Sequence, residues 1–237
     1  MNRMLAALAC VGLMTATAAA GDLHVDGRWF KDAAGRVVIL RGVNVAGNSK
    51  VPPFTPIDSA ELLDPLADWG MNAIRLLFTW EAFEPAPGVY DEGYLDYYAQ
   101  AVDWAWERGL RTIVDIHQDS FSRFTNQGCG EGFPRWAVAS DVPTVEPDNS
   151  PENCADWGTQ MIFDFPMHFA WNRFYSDAEG ARTRYLAMIA RIAERLGSRP
   201  GVAGIDLINE PWGLEDTEIL ALYEDAEPIV RADAPDW

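Results

Sequence analysis

The sequence predicts an α/β fold built on a parallel sheet, and three observations carry that prediction. Apolar, strand-like runs alternate with stretches of helical periodicity in four successive strand–helix units. The runs are nearly continuously apolar, as strands buried on both faces are, and several stop abruptly on polar residues. The clearest is 201–212, Gly-Val-Ala-Gly-Ile-Asp-Leu-Ile-Asn-Glu-Pro-Trp, where Asn209 and Glu210 end an apolar run and Pro211 prevents its continuation. Polar groups at such strand ends are where parallel α/β folds keep their chemistry. With 237 residues, 49% of them hydrophobic, and ten tryptophans, the chain can bury one sizeable core.

Taken in order, residues 23–46 form two extended stretches around a turn at Lys31–Gly35, a hairpin whose second arm runs into a first core strand, Val37–Val45. Gly42 and Asn44 lie at its end. Pro52, Pro53 and Pro56 mark a loop, and Asp58 with Glu61 three positions later forms a capping-box pattern that opens a helix over Ala60–Trp69. A second strand, Asn72–Trp80, carries Arg75 inside an apolar run, where a charge needs buried carboxylate partners. Tyr94, Tyr97, Tyr98, Ala101, Val102, Ala105 and Trp106 then recur at helical spacing, with Asp96, Gln100, Asp103 and Glu107 opposite. That stripe reads as core packing.

The third strand, Arg111–Asp119, places Asp115, His117 and Asp119 at alternate positions, so all three share one face while Val114 and Ile116 pack on the other. The segment 120–175 is rich in Pro, Gly, Asn and Trp and reads as a long functional loop beside the site. Helical spacing returns at Tyr185, Leu186, Met188, Ile189, Ile192, Ala193 and Leu196, with Gly197 placed to end the helix. After the strand at 201–212, an acidic helix is expected over Thr217–Ala232.

At the start of the chain, Arg3, the apolar run Met4–Met14 and the small residues Ala18–Ala20 predict a secretory signal peptide, residues 1–20, cleaved near Ala20. Its apolar part is too short to span a bilayer, and no later segment resembles a transmembrane helix. A secreted or periplasmic destination follows. Once Cys10 leaves with the leader, Cys129 and Cys154 remain as an even pair in an oxidising compartment, and a disulfide between them is expected. The net charge of −18, without any polybasic cluster, disfavours nucleic acid and anionic lipid as partners. Three histidines, His24, His117 and His168, with no paired metal-ligand spacing, give no metal site. No nucleotide-binding glycine motif is present, so no cofactor is expected.

Asn44, Arg75, His117, Asp119, Asn209 and Glu210 at strand ends, with tryptophans for sugar faces, suit carbohydrate. In these residues the chain resembles glycoside hydrolase family 5, a family of retaining (β/α)8-barrel glycosidases: the Asn209-Glu210-Pro211 strand end and the Leu-Arg-Gly-Val-Asn and Ile-Arg-Leu-Leu stretches carry the likeness. The run Asp115–Phe121, Asp-Ile-His-Gln-Asp-Ser-Phe, is similar to the endoglycoceramidase branch, which cleaves oligosaccharide from ceramide. The resemblance spans most of the chain from Leu23 onward. It implies that Glu210 is the general acid/base, that Asn209 binds the sugar 2-hydroxyl, and that His117 and Asp119 contact the sugar. It further implies that Arg75 supports the catalytic carboxylates and that Lys50 and Trp157 are additional sugar contacts. A cellulase-like glucanase, a lipid or steryl β-glucosidase and a non-catalytic glycan-binding protein are the alternative readings.

The resemblance implies a TIM-barrel type fold, of which residues 21–237 hold only about the first four β/α units plus the N-terminal hairpin; a complete barrel has eight units. The family's nucleophile is a second strand-end glutamate, and the acids after Glu210 all fall in a helix or its flanks. The expectation is therefore an N-terminal half that lacks its nucleophile, is inactive alone, and has the other half of its own barrel as partner.

Overall fold

A computed structural model describes residues 23–237, so the expected leader, its cleavage point near Ala20 and Cys10 lie outside the described residues. The chain opens with three short antiparallel strands, β1 (His24–Asp26), β2 (Trp29–Lys31) and β3 (Val37–Val38). The expected hairpin is thus two turns, the first at Gly27, which has a positive φ of 62°. The second turn is closed by Asp32, whose carboxylate accepts from the Ala34 and Arg36 amides at 3.0 and 2.9 Å. The run expected as one strand over 37–45 breaks at Ile39–Arg41, and its second part, β4 (Gly42–Val45), joins a different sheet.

That second sheet is parallel throughout: β4, β5 (Ala73–Thr79), β6 (Arg111–His117) and β7 (Val202–Asp206) lie side by side in chain order. Sequential order with helical crossovers is the arrangement of a (β/α)8 barrel. β5 and β6 are buried along nearly their whole length, which is why they read as continuous apolar runs. Gly42 is required where it stands, because a Cβ there would lie 1.9 Å from the Ala73 carbonyl oxygen.

The helical units correspond to expectation with three corrections. The stretch 60–69 is a 3₁₀ turn over Ala60–Leu63 leading into a short α1 (Asp64–Asp68); Ser59, not Asp58, occupies the N-cap, and no side chain caps it. Pro65 favours a helix start inside that region and divides the expected single helix. A one-turn α2 (Trp80–Phe83) follows β5, and α3 (Glu92–Glu107) starts where the Asp91 carboxylate accepts from the Tyr94 amide at 3.0 Å. Its buried face holds Tyr94, Tyr98, Ala101, Val102 and Ala105.

The segment 120–175 is not an unstructured loop. It contains α4 (Trp157–Phe163) and α5 (Phe165–Tyr175), the latter begun by Asp164, which accepts from the Met167 amide at 2.7 Å, and by Pro166 in its first turn. Phe121 and Phe133 stack at 4.0 Å and meet Trp171, Phe174 and Tyr185, so the segment is pinned to the main core by aromatic rings. Cys129 and Cys154 form the expected disulfide, with Cα atoms 5.6 Å apart.

Helix α6 (Ala181–Leu196) packs Tyr185, Met188, Ile189, Ile192 and Leu196 inward. Gly197 does follow it, but with φ −59°, so no left-handed cap is formed. Its lack of a side chain matters because a Cβ would sit 2.4 Å from the Asp233 carbonyl oxygen, at the end of the last helix. That helix, α7 (Leu220–Asp233), is preceded by a π-helical turn over Glu215–Ile219.

Candidate active site

The C-terminal ends of β5, β6 and β7 converge on one polar cluster, and period-2 geometry in β6 sets its layout. Asp115, fully buried, accepts from His117 Nδ1 at 2.8 Å and pairs with Arg75 Nη1 at 2.6 Å. Arg75 stands on β5 in register with Ile113 and directs its other nitrogens to β7: Nη2 reaches Asp206 at 2.5 Å and Asn209 Oδ1 at 2.9 Å. The expectation that Arg75 binds buried carboxylates thus holds for Asp115; Asp206, its second partner, is partly exposed. It touches Asn209, not the Glu210 carboxylate.

Beyond β7 the chain is held rigidly up to the acid. The Asn209 amide donates to Ile116 O at 3.0 Å, and Asn209 Nδ2 donates to Gln118 O at 3.0 Å. Gln118 Nε2 in return donates to the carbonyls of Asn209 and Glu210 at 2.7 and 3.2 Å, while its Oε1 accepts from the Phe121 amide at 2.6 Å. Glu210 itself adopts φ +39°, a left-handed conformation costly for a residue with a Cβ, and its side chain is exposed. Gln118, Asp119, Met161, Trp171, Glu210 and Trp212 line one hollow of about 170 Å³. Trp212 is stacked on His168 with ring centres 4.3 Å apart.

A second hollow of about 290 Å³ shares Asp119 with the first and is lined by Lys50, Asn149, Trp157 and the disulfide. The loop residues Lys50 and Trp157 are therefore brought to the strand ends: Lys50 Nζ is ion-paired with Asp119 and lies 5.2 Å from the Trp157 ring centre. Asn44 remains apart. It is exposed within β4, opposite Arg75 in register, without a side-chain hydrogen bond to the cluster.

Sequence reasoning missed three members: Asp206, a charge inside the apolar run 201–212 that pairs with Arg75, and two others. Gln118 sat unremarked inside the Asp115–Phe121 run, although its position at a strand end was a usable signal. Glu131 gave no local signal, since it sits between two glycines far along the chain. It is fully buried, bridged through its backbone to Asp119, and its Oε1 lies 3.6 Å from Lys50 Nζ and 3.8 Å from His117 Nε2. Burial raises its carboxyl to about 7, although Lys50 and His117 pull it down. Burial also raises Asp115, against the pull of His117 and Arg75. For His117, burial opposes the charged ring, but Asp115, Glu131 and Asp119 outweigh it and the imidazole is raised. For Lys50, likewise, burial is outweighed by Asp119 and Glu131, so its ammonium is raised.

His117, Asp119 and Glu131 offer donor atoms within 4.8 Å of one another, a set that could hold a cation. The Lys50 ammonium, paired with Asp119 and near Glu131, already supplies positive charge to two of the three groups. Chemically, the cluster offers an exposed carboxyl beside a fixed amide, and a charged lysine with an aromatic face, around two adjoining hollows that share Asp119. That is the inventory of a sugar-binding cleft with an acid or base at its edge.

A sequence model of the cellulase family, glycosyl hydrolase family 5, matches residues 31–237. Endoglycoceramidase I of Rhodococcus hoagii is 33% identical over 194 residues, covering 80% of this chain and 37% of that protein. A glucosylceramidase of Rhizopus delemar is 31% identical over 252 residues, covering 81% and 36%. Among solved structures, endo-glycoceramidase II from Rhodococcus sp. superposes with a TM-score of 0.75 at 32% identity, over 88% of this chain and 49% of that one. The chain therefore spans little more than a third of the curated relatives it matches and about half of the solved structure.

Proposed function

The chain belongs to glycosyl hydrolase family 5, and on that footing we propose that it forms the acid/base half of a retaining β-glycosidase acting on glycosphingolipids. The observation that carries the proposal is the anchoring of Glu210. A strained, exposed glutamate at the end of β7 is held by Gln118 on its carbonyl and by the locked Asn209 beside it, at the rim of a hollow with Asp119 and Trp212. In this reading Glu210 protonates the glycosidic oxygen and later removes a proton from water. Asn209 offers its amide to the sugar 2-hydroxyl, and Asp119, His117, Lys50 and Trp157 take the neighbouring hydroxyls and ring face.

A retaining reaction needs a second carboxylate about 5–5.5 Å from the first. Among the described residues, Glu81, just past β5, is ion-paired with Arg123, and Glu131 is buried against Asp119, so the nucleophile is assigned to the second half of the barrel. Two further features favour a covering half. Among the described residues β7 pairs only with β6, and an apolar hollow of about 770 Å³ runs along its flank, lined by Phe30, Leu40, Ile205, Tyr223 and Trp237. The preference for a ceramide aglycone over glucan or sterol draws on the endoglycoceramidase and glucosylceramidase names of the relatives and on the Asp115–Phe121 run. Export through the expected leader accords with the Cys129–Cys154 disulfide.

The test uses a fluorescent glycosphingolipid alongside a soluble β-glucan. A polypeptide carrying both barrel halves is expected to release the glycan from ceramide and to leave the glucan largely intact, and the purified 237-residue chain is expected to do neither. Robust turnover by the 237-residue chain, or a preference for glucan, contradicts the proposal.

A further inference from the structure

One buried acid has no part in the reaction just described. Glu131 is locked against Asp119 by paired backbone hydrogen bonds, Asp119 N to Glu131 O at 3.2 Å and Glu131 N to Asp119 O at 3.0 Å. Its Oε2 accepts from Ser49 Oγ at 3.4 Å, but its Oε1 accepts no hydrogen bond although it is fully buried. A buried carboxyl oxygen without a donor is costly to keep. That oxygen points into the cluster, 3.6 Å from Lys50 Nζ and 3.8 Å from His117 Nε2.

Two carboxyls therefore face one ammonium, and only the outer one, Asp119, is hydrogen-bonded to it. Asp119 is also the carboxyl that lines both hollows, whereas Glu131 lines neither. A carboxylate engaged by lysine has fewer lone pairs to offer a sugar hydroxyl. If Lys50 simply left Asp119 when sugar arrived, a partly buried ammonium would lose its partner.

We propose that Glu131 is a positioning residue for sugar recognition: it is the inner seat onto which the Lys50 ammonium shifts when Asp119 accepts hydroxyls of the bound glycoside. The shift needed is less than the length of one side-chain bond, from 3.6 Å to ordinary hydrogen-bond distance. It would give Glu131 Oε1 its missing donor, share the Lys50 ammonium between the two carboxyls, and loosen its hold on Asp119 so that lone pairs of Asp119 face the hollow. The proposal rests on the sugar-binding reading of Lys50 and Asp119 given above.

The experiment compares Glu131→Gln, Lys50→Met and the double variant in a polypeptide carrying both barrel halves, with Glu210→Gln run in parallel. Glu131→Gln is expected to raise KM for the glycoside about tenfold while kcat stays within about twofold, because ground-state and transition-state binding of the sugar fall together. In the Lys50→Met background the same change should move KM by less than about twofold, since the partner through which Glu131 acts is gone. An unchanged KM in Glu131→Gln, or effects of the two substitutions that simply multiply, overturns the proposal. So does a loss confined to melting temperature with KM intact, which marks Glu131 as structural only. A second readout does not depend on altering Glu131: the structure of the Glu210→Gln protein with bound glycoside. Lys50 Nζ about 3 Å from Glu131 Oε1, with a sugar hydroxyl on Asp119, is expected; Lys50 no nearer to Glu131 than in the free protein, or no sugar hydroxyl on Asp119, overturns the proposal. If Glu210→Gln hydrolyses the glycoside at the unsubstituted rate, the glycosidase reading itself fails, an outcome distinct from either of these.

Discussion

Arginine–carboxylate pairs occur in two settings in this chain. Along the outer faces of α3 and α6, Arg191 and Arg195, four residues apart on α6, reach Glu92 and Asp96 at 2.5 and 2.7 Å, and Arg199, just past the end of α6, extends the ladder to Asp103 at 2.5 Å. The Arg191 and Arg195 pairs are largely exposed, with Asp96 at 69%, and only the Arg199 pair is partly buried. At the strand ends, Arg75 makes contacts of similar length to Asp115, Asp206 and Asn209, but Asp115 is fully buried and shared with His117. Distance alone does not separate the two settings. Solvent does: the ladder carboxylates are open to water, whereas at the strand ends no charge can change without disturbing several neighbours. The second condition shifts proton affinities and fixes geometry, and for that reason the candidate site lies there.

The contrast can be broken experimentally, beginning with the largest expected effect. Arg75→Met should destabilise the fold by about 3–5 kcal/mol, the cost of leaving a buried carboxylate unpaired, read from urea unfolding. A loss below about 1 kcal/mol would place Arg75 with the surface pairs.

Glu131 gives a smaller, pH-dependent effect. Its carboxyl lies near 7 in the fold instead of 4.5, so the folded state binds its proton more tightly than the unfolded chain does. Its contribution to stability is complete below about pH 4.5 and is lost as pH rises through about 7. Replacing it by glutamine removes that dependence. The stability of Glu131→Gln relative to the unsubstituted protein should rise by about 3 kcal/mol between about pH 4 and about pH 8. Parallel curves for the two proteins in urea unfolding would contradict this.

The smallest effect belongs to the ladder. Asp96→Ala should cost less than about 1 kcal/mol, and less still at high salt. A larger loss would mean that the α3–α6 face depends on its charges and not on the apolar residues beneath.

These differences also mark what could be read from the sequence. The alternation of Asp115, His117 and Asp119 and the polar stop at Asn209–Glu210 were legible because strand geometry is local and has period 2. The buried faces of α3 and α6 were legible for the same reason, with a helical period. The break at Ile39–Arg41 was not, because the run stays apolar on both sides while its hydrogen-bond partners change from β2 to β5. The helices α4 and α5 were hidden by Pro, Gly and Asn, which signal turns even where Asp164 and Pro166 start a helix. Glu131 was invisible for a different reason: its meaning lies in meeting Lys50 and Asp119, from loops that only the fold brings together. Lys50 and Trp157 came from the family resemblance, and the structure places both beside Asp119.

The central claim is that Glu210 moves the proton in a retaining reaction. The direct measurement is azide rescue of Glu210→Ala in a polypeptide carrying both barrel halves, with an aryl glycoside whose leaving group needs no protonation. Glycosphingolipid hydrolysis should fall about 10²–10⁴-fold, and azide should restore turnover of the aryl glycoside with a β-glycosyl azide as product. Undiminished hydrolysis, no response to azide, or an α-configured azide would contradict the assignment.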